Sequence, residues 1–177
     1  MLRIVQSSNA ASAARYYLEG LKRADYYLKG YETEGVFHGS ALQHLGLKVG
    51  DTETAEQFEA LLNNRHPVTG KQLTPRMNSE KNRIPGWDFV FSLPKSISVL
   101  HAVSGDDALI EAFRESVQET MAEIEKQVAT RVRLGGSQDD RRTGNFAWAE
   151  FLHDTTRPLS DGLPDPHLHI HAYVFNI

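Results

Sequence analysis

Apolar residues recur along this chain with two periods, and the switches between them outline its elements. Residues 1–6, MLRIVQ, predict a short strand. Ser7, Ser8 and Asn9 are N-cap candidates for a helix from Ala10 to about Glu19, and Gly20 and Gly30 interrupt or end helical runs in the Tyr-rich segment that follows. Thr54 and Gln57 have capping-box spacing ahead of an apolar face of Phe58, Leu61 and Leu62. Residues 63–86 are polar and broken by Pro67, Gly70, Pro75, Pro85 and Gly86, which predicts a long loop with room for short strands. From Trp87 to Ser92 the pattern alternates, with Trp87, Phe89 and Phe91 facing one way, and Pro94 closes that strand. Leu109, Phe113, Val117, Met121, Ile124 and Val128 recur at helical spacing, predicting one long helix from Asp106 to about Arg133, stopped by Gly135 and Gly136. Thr143 to His153 and His167 to Ile177 then read as two strands joined by a polar loop, Asp154 to Pro166. A sheet with an amphipathic helix packed on it is an α+β domain.

Composition narrows the class without naming it. The 177 residues suffice for one full core or for part of a larger domain. No apolar stretch nears the roughly 20 residues that cross a bilayer, and the first residues lack the apolar run of an export signal. The chain has no cysteine, which excludes disulfides and thiolate metal sites and fits a cytoplasmic location. The net charge of -4 is unusual for a nucleic-acid binder, since phosphate contacts supply most of such affinity. Basic residues are only locally dense, at Arg65, Lys71, Arg76, Lys81 and Arg83 and again at Arg131, Arg133, Arg141 and Arg142. These read as solvated surface charge, so charge does not lead the argument.

The chemistry-bearing segment is DPHLHIHAYVFN. His167, His169 and His171 alternate on a strand and so share one side. Neighbours two apart stand roughly 6.5–7 Å from each other, close enough for two imidazoles to converge on one ion, whereas all three span roughly 13 Å. At most two therefore share an ion, and a third ligand must come from the next strand, where His153 is placed to return beside them. Three neutral imidazoles leave open positions for substrate oxygens.

A second cluster, ARYYLEGLKRADYYLKGY, holds Tyr16, Tyr17, Tyr26, Tyr27 and Tyr31, five of the six tyrosines. Most aromatic residues on helices pack the core. Adjacent tyrosines face different sides of a helix, so at least one of each pair reaches solvent. A phenol, ordinarily protonated near neutrality, becomes a nucleophile when a base or cation favours its anion. Tyrosines beside an open histidine-ligated metal form a coherent set for cleaving a phosphodiester.

These motifs resemble those of the MobF-type conjugative relaxases, the TrwC and TraI group of the HUH endonuclease superfamily. His169-Ile170-His171 is the His-hydrophobe-His motif. The resemblance runs in order through the double-Tyr segment, GWDFVFSLPKSIS, TGNFAWAEFLHDTTR and DPHLHIHAYVFN. It implies a central antiparallel sheet of RRM or palm type with helices packed on it, and it implies that residues 1–177 are the N-terminal part of a relaxase domain that continues further. By the same resemblance Tyr16 is the first nucleophile and Tyr26 the second, with Tyr17 and Tyr27 as partial substitutes. His153, His169 and His171 are the metal ligands, and Asp88 is the acidic residue beside them. Arg157 matches an arginine near the DNA. Lys95 is also assigned to DNA, and His167, at a position where the family needs no histidine, is expected to point at DNA or solvent. The implied reaction is strand-specific nicking at a plasmid transfer origin through a 5′-phosphotyrosyl intermediate. Its implied partners are single-stranded origin DNA, relaxosome accessory proteins and a coupling protein, with no membrane insertion. The implied working ion is Mg²⁺ or Mn²⁺, although imidazole ligands suit Zn²⁺, Ni²⁺ or Cu²⁺ and such ions are expected to bind too. A rolling-circle replication initiator is the alternative within the same chemistry, disfavoured because the tyrosines precede the histidines. The alternative outside it is a non-catalytic DNA- or metal-binding module.

Overall fold

The structure, a computed structural model, describes residues 1–24, 35–52, 54–74, 83–134, 137–156 and 164–177. Five strands form one antiparallel sheet: β1 (Leu2–Gln6), β2 (Val36–His38), β3 (Gly86–Ser92), β6 (Trp148–Thr155) and β7 (Pro166–Phe175), in the order β1-β3-β7-β6-β2. The helices are α1 (Ala10–Ala24), α2 (Ala55–Leu62), α3 (Lys95–Ser104) and α4 (Asp107–Glu125), with a 3-10 helix at Ser40–Leu45. Strands β4 (Ala129–Leu134) and β5 (Ser137–Arg142) make a separate two-stranded ribbon.

Side-chain alternation on the central strand β7 creates two cores. Tyr173 and Phe175 join Ala149 and Phe151 of β6 under α1 and α2, with Tyr17, Phe58, Leu61 and Leu62. On the reverse face Leu168, Ile170, Ala172 and Val174 meet Phe91, Trp148 and Leu152 under Ile110, Phe113, Val117 and Met121 of α4. The sheet is thus covered on both sides, not on the one face that the pattern suggested. Gly86 allows β3 to lie flush on β7. A Cβ there would come within 2.2 Å of the Val174 carbonyl and 2.8 Å of the Tyr173 ring.

Local signals fix several boundaries. The Asn9 side chain accepts from Ser12 N at 2.8 Å and starts α1, which runs through Gly20 to Ala24, past the expected end. Thr54 and Gln57 close the capping box of α2. The long helix, by contrast, is shorter than its sequence pattern. It ends at Glu125, and residues 129–134, expected to be helical, form β4. Ile124 and Val128 keep helical spacing, but Thr130 and Val132 already alternate, and β-branched residues favour the strand. Glu125 marks the break, its Oε1 accepting from Ser40 N, Ser40 Oγ and Phe146 N at 2.9, 2.8 and 2.9 Å. Helix α3 and strand β2 had no counterpart in the sequence reading. The first strand of the expected pair begins at Trp148, not Thr143, and Asp154 and Thr155, expected in a loop, belong to β6.

A buried ionic network lies on the α4 side of β6. Glu150, 2% exposed, pairs with Arg114 Nε at 2.9 Å and with His38 Nε2 at 3.2 Å, and accepts from Gln118. Trp148 stacks on the His38 ring at 4.4 Å. Burial pushes the Glu150 carboxyl up, but His38, Arg114 and Gln118 together outweigh it and hold the group below its ordinary range. Its folded pKa is therefore the lower one. The stabilisation is complete above the unfolded value of 4.5 and is lost as pH falls through the folded value. Glu150→Ala, which leaves Arg114 and His38 facing an uncharged pocket, is expected to cost about 3 kcal/mol in urea unfolding at pH 7. Glu150→Gln should cost less and should flatten the loss of stability below pH 4.5.

Candidate functional site

The site is built on the α1 side of the sheet, where β6 and β7 pair. His153 is the register partner of His169, and His171 follows two residues later on the same face. The His153, His169 and His171 ring centroids are 5.1 Å apart in every pairing. His169 donates Nδ1–H to the His167 carbonyl at 2.8 Å. His171 donates Nδ1–H to Asp88 Oδ2 at 2.8 Å. In a neutral ring that donates through Nδ1, Nε2 is the acceptor nitrogen. Burial, with the neighbouring histidines adding to it, lowers the His169 pKa to about 4, so that ring is neutral at ordinary pH. His167 stacks on His169 at 4.7 Å.

Helix α1 brings two phenols to this cluster in different ways. Tyr16 is 38% exposed, and its hydroxyl lies 3.4 Å from His171 Nε2. Tyr17 is 5% exposed and packs against Phe58, Phe151, Tyr173 and His171. Burial first, and then the charge and hydrogen bonding of Asp88, raise the Tyr17 pKa well above that of a free phenol. Asp88 sits on β3 opposite Tyr173 of β7, below both phenols.

Imidazole nitrogens about 2.1 Å from a common ion put ring centroids roughly 5 Å apart, which is the spacing found here. Among the described residues no three donor atoms already stand at the mutual distances of a bound ion. The centroid spacing nonetheless matches that of three imidazoles on one ion. The residues present fit a divalent cation held by His153, His169 and His171, with Asp88 as the outer partner that orients His171.

Residues 10–177 match the family model described as TrwC relaxase. The chain belongs to the TrwC relaxase family. It is 34% identical over all its 177 residues to the multifunctional conjugation protein TraI of Escherichia coli strain K12, and 33% identical to a second Escherichia coli TraI. The match spans 9% of the length of either TraI protein. Among solved structures, the conjugative relaxase TrwC in its metal-bound complex with oriT DNA superposes with a TM-score of 0.78 at 28% identity, over 99% of this chain and 57% of that one. TrwC bound to a 27-mer carrying the recognition hairpin and cleavage site gives 0.77 at 25% identity, over 99% of this chain and 55% of that one. Membership of a relaxase family removes the rolling-circle initiator as the leading alternative, and the antiparallel α+β fold is the one the resemblance implied.

Of the residues singled out from the sequence, Tyr16, Tyr17, Asp88, His153, His169 and His171 lie together in this TrwC-type fold. Tyr26, Tyr27 and Arg157 fall outside the described residues. Lys95 stands at the first turn of α3, donating to the Pro166 carbonyl at 2.9 Å and pairing with Asp165 at 3.4 Å. Among the aromatic residues, Phe37 and Trp148 are buried and Trp87 is half-buried. The sequence reading passed over Phe151 and Tyr173, which floor the site. Their signal was parity, since each lies two residues from a candidate ligand on the same strand. Among the described residues no helix is long and apolar enough to cross a membrane.

Removing the outer carboxylate tests the ligand geometry. Asp88→Ala is expected to weaken Mn²⁺ binding about 10–100-fold. The readout is a smaller Mn²⁺-induced rise in melting temperature at fixed metal concentration.

Proposed function

We propose that this chain nicks one DNA strand at a plasmid transfer origin by transesterification, with Tyr16 as the nucleophile. The observation that carries the reading is the exposed Tyr16 hydroxyl, 3.4 Å from His171 Nε2 at the edge of a three-imidazole cluster. In-line attack of the Tyr16 oxygen on a backbone phosphorus forms the phenol–phosphorus bond and breaks the bond to the 3′ oxygen. The phenol loses its proton, and the departing 3′ oxygen gains one and becomes a free hydroxyl. The 5′-phosphate remains esterified to Tyr16, so the bond energy is kept for rejoining ends without ATP.

His153, His169 and His171 are proposed to hold a divalent ion through neutral ring nitrogens. Such an ion, when bound, offsets negative charge on the phosphate and on the forming phenolate. Asp88 keeps His171 in the tautomer and orientation this requires. Mg²⁺ or Mn²⁺ is proposed as the working ion, with Zn²⁺ or Ni²⁺ also accepted. A copper-bound TrwC complex supports tolerance of softer ions by such a site. Tyr26 is proposed for a later strand-transfer step, with Tyr27 beside it, and Arg157, Lys95 and His167 for contacts to DNA. The solved TrwC relatives are complexes with oriT DNA, which supports single-stranded origin DNA as the substrate. Relaxosome accessory proteins and a coupling protein complete the proposed partners, and a cytoplasmic location goes with them.

Metal-loaded chain mixed with single-stranded oligonucleotides tiling the replicon that encodes it should yield a covalent adduct on a denaturing gel. Tyr16→Phe should lower adduct formation at least about 100-fold. An adduct that survives replacement of Tyr16, Tyr17, Tyr26 and Tyr27 would remove tyrosine chemistry from the account. DNA binding without adduct at every divalent metal tried would instead support the non-catalytic module.

A further inference from the structure

Adjacent tyrosines in a helix invite a reading of the second as a spare nucleophile. Their surroundings here divide them. Tyr16 is 38% exposed, whereas Tyr17 is 5% exposed, and its ring is held on every side. It stacks on Phe151 at 4.7 Å and meets Phe58 and Tyr173 edge-on at 5.5 and 5.2 Å. A backbone phosphate reaches Tyr17 far less readily than Tyr16, whose ring is packed by no such set of core residues.

The surroundings of Tyr17 suggest a different task for its hydroxyl. Asp88 uses Oδ2 to accept from His171. Its Oδ1 is buried and, among the described residues, has no hydrogen bond of good geometry. A buried carboxylate oxygen with no donor is costly. The Tyr17 ring meets both His171, whose Nδ1 this carboxylate holds, and Tyr173, the register partner of Asp88, so its phenol belongs to the surroundings of that oxygen. The Asp88 charge acts in the same sense, raising the Tyr17 pKa after burial. Asp88 in turn holds His171 Nδ1, and His171 Nε2 faces the Tyr16 hydroxyl.

We propose that Tyr17 is a positioning residue, whose hydroxyl donates to Asp88 Oδ1 and so fixes the carboxylate that orients His171. This rests on the relaxase reading of the same site. Its consequence is that the paired tyrosines have separate tasks, with Tyr16 meeting the substrate and Tyr17 acting only through Asp88. Tyr17→Phe keeps the ring that packs the core and removes only the donor. An outer-shell partner of a metal-ligating histidine is worth about 10–100-fold in metal affinity, and Tyr17, one step further out, is assigned about tenfold.

The test is a double-mutant cycle on the full chain, with the Mn²⁺ dissociation constant and the single-turnover rate of adduct formation as readouts. Tyr17→Phe is expected to weaken Mn²⁺ binding and slow adduct formation about tenfold each, with its melting temperature near that of wild type. In an Asp88→Ala background the same change should have less than about a twofold effect, since the group it acts through is gone. Mass spectrometry of any adduct left in Tyr16→Phe should find none on Tyr17. Equal effects of Tyr17→Phe with and without Asp88 would overturn the proposal, as would no effect on Mn²⁺ affinity or an adduct mapped to Tyr17. Should Tyr17→Phe fail to fold, wild-type protein decides. A slowly exchanging Tyr17 hydroxyl proton, displaced in Asp88→Ala, supports the bond, and its absence from the spectrum refutes it. Failure of the relaxase reading would look different, because wild-type protein would then form no adduct while the coupling in Mn²⁺ affinity could still be measured.

Discussion

The register between β6 and β7 governs everything the site can do. With His153 set opposite His169, the period of two puts His171 on the same face and Leu152, Leu168 and Ile170 on the other. A slip of β7 by one residue would turn His169 and His171 into the α4 core, away from His153, and Leu168 and Ile170 toward α1. Histidines are poor guardians of a register, since they are polar and pack weakly. The neighbours do that work. Phe151, Tyr173 and Phe175 are pinned from one side by Phe58 and Tyr17, and Ile170, Ala172 and Val174 are held from the other by the helix α4. The irregularity between His153 and Thr155 ends the regular ladder immediately beyond the imidazole cluster.

Much of this was legible in the sequence, and the gaps have physical causes. Alternation from Trp87 to Ser92 and from His167 onward survived folding because those strands carry different residue types on their two faces. The capping box at Thr54 and the Asn9 cap are local chemistry and needed no tertiary context. The junction after α4 was misread because Ile124 and Val128 fit both a helix and the entry to a strand. Only the engagement of Glu125 by Ser40, about eighty residues away, decides where the helix stops. Helix α3 follows a proline and is rich in β-branched residues, so its propensity argues against it. It forms where its Ser98 hydroxyl accepts from Leu168 N. In the site, spacing limited the ligands to two of His167, His169 and His171 plus His153 from the next strand, whereas the choice of His169 with His171, and Asp88 beside them, came from family resemblance. Only the resemblance told Tyr16 from Tyr17, because helical phase says that two neighbours differ but not which of them faces the sheet.

The acidic net charge also looks different once its members are located. Arg83 donates to the Leu62 and Asn176 carbonyls, and Arg114 is committed to Glu150, so neither adds to a basic surface. Glu125 and Glu150 are likewise turned inward onto backbone and side-chain donors, and Asp88 onto His171. Counting charges along the chain therefore measures neither the attraction nor the repulsion that a phosphate backbone would meet. That depends on which charges face the imidazole edge of the sheet.

Strand β6 combines two unlike demands within four residues. Glu150 faces α4 in a satisfied ionic network, while His153 faces the opposite side among rings that are close together and only partly hydrated. The first arrangement fastens the strand. The second keeps the His169 ring neutral, since burial disfavours its protonated form. With the two on opposite faces of one strand, the backbone that carries the imidazoles is fixed from behind by the Glu150 network and the α4 core. A like division separates Tyr16, which is exposed, from Tyr17, which is packed among Phe58, Phe151 and Tyr173. On the proposed reading, the phenol that must be reachable is therefore the loosely packed one, and rigidity comes from its neighbour.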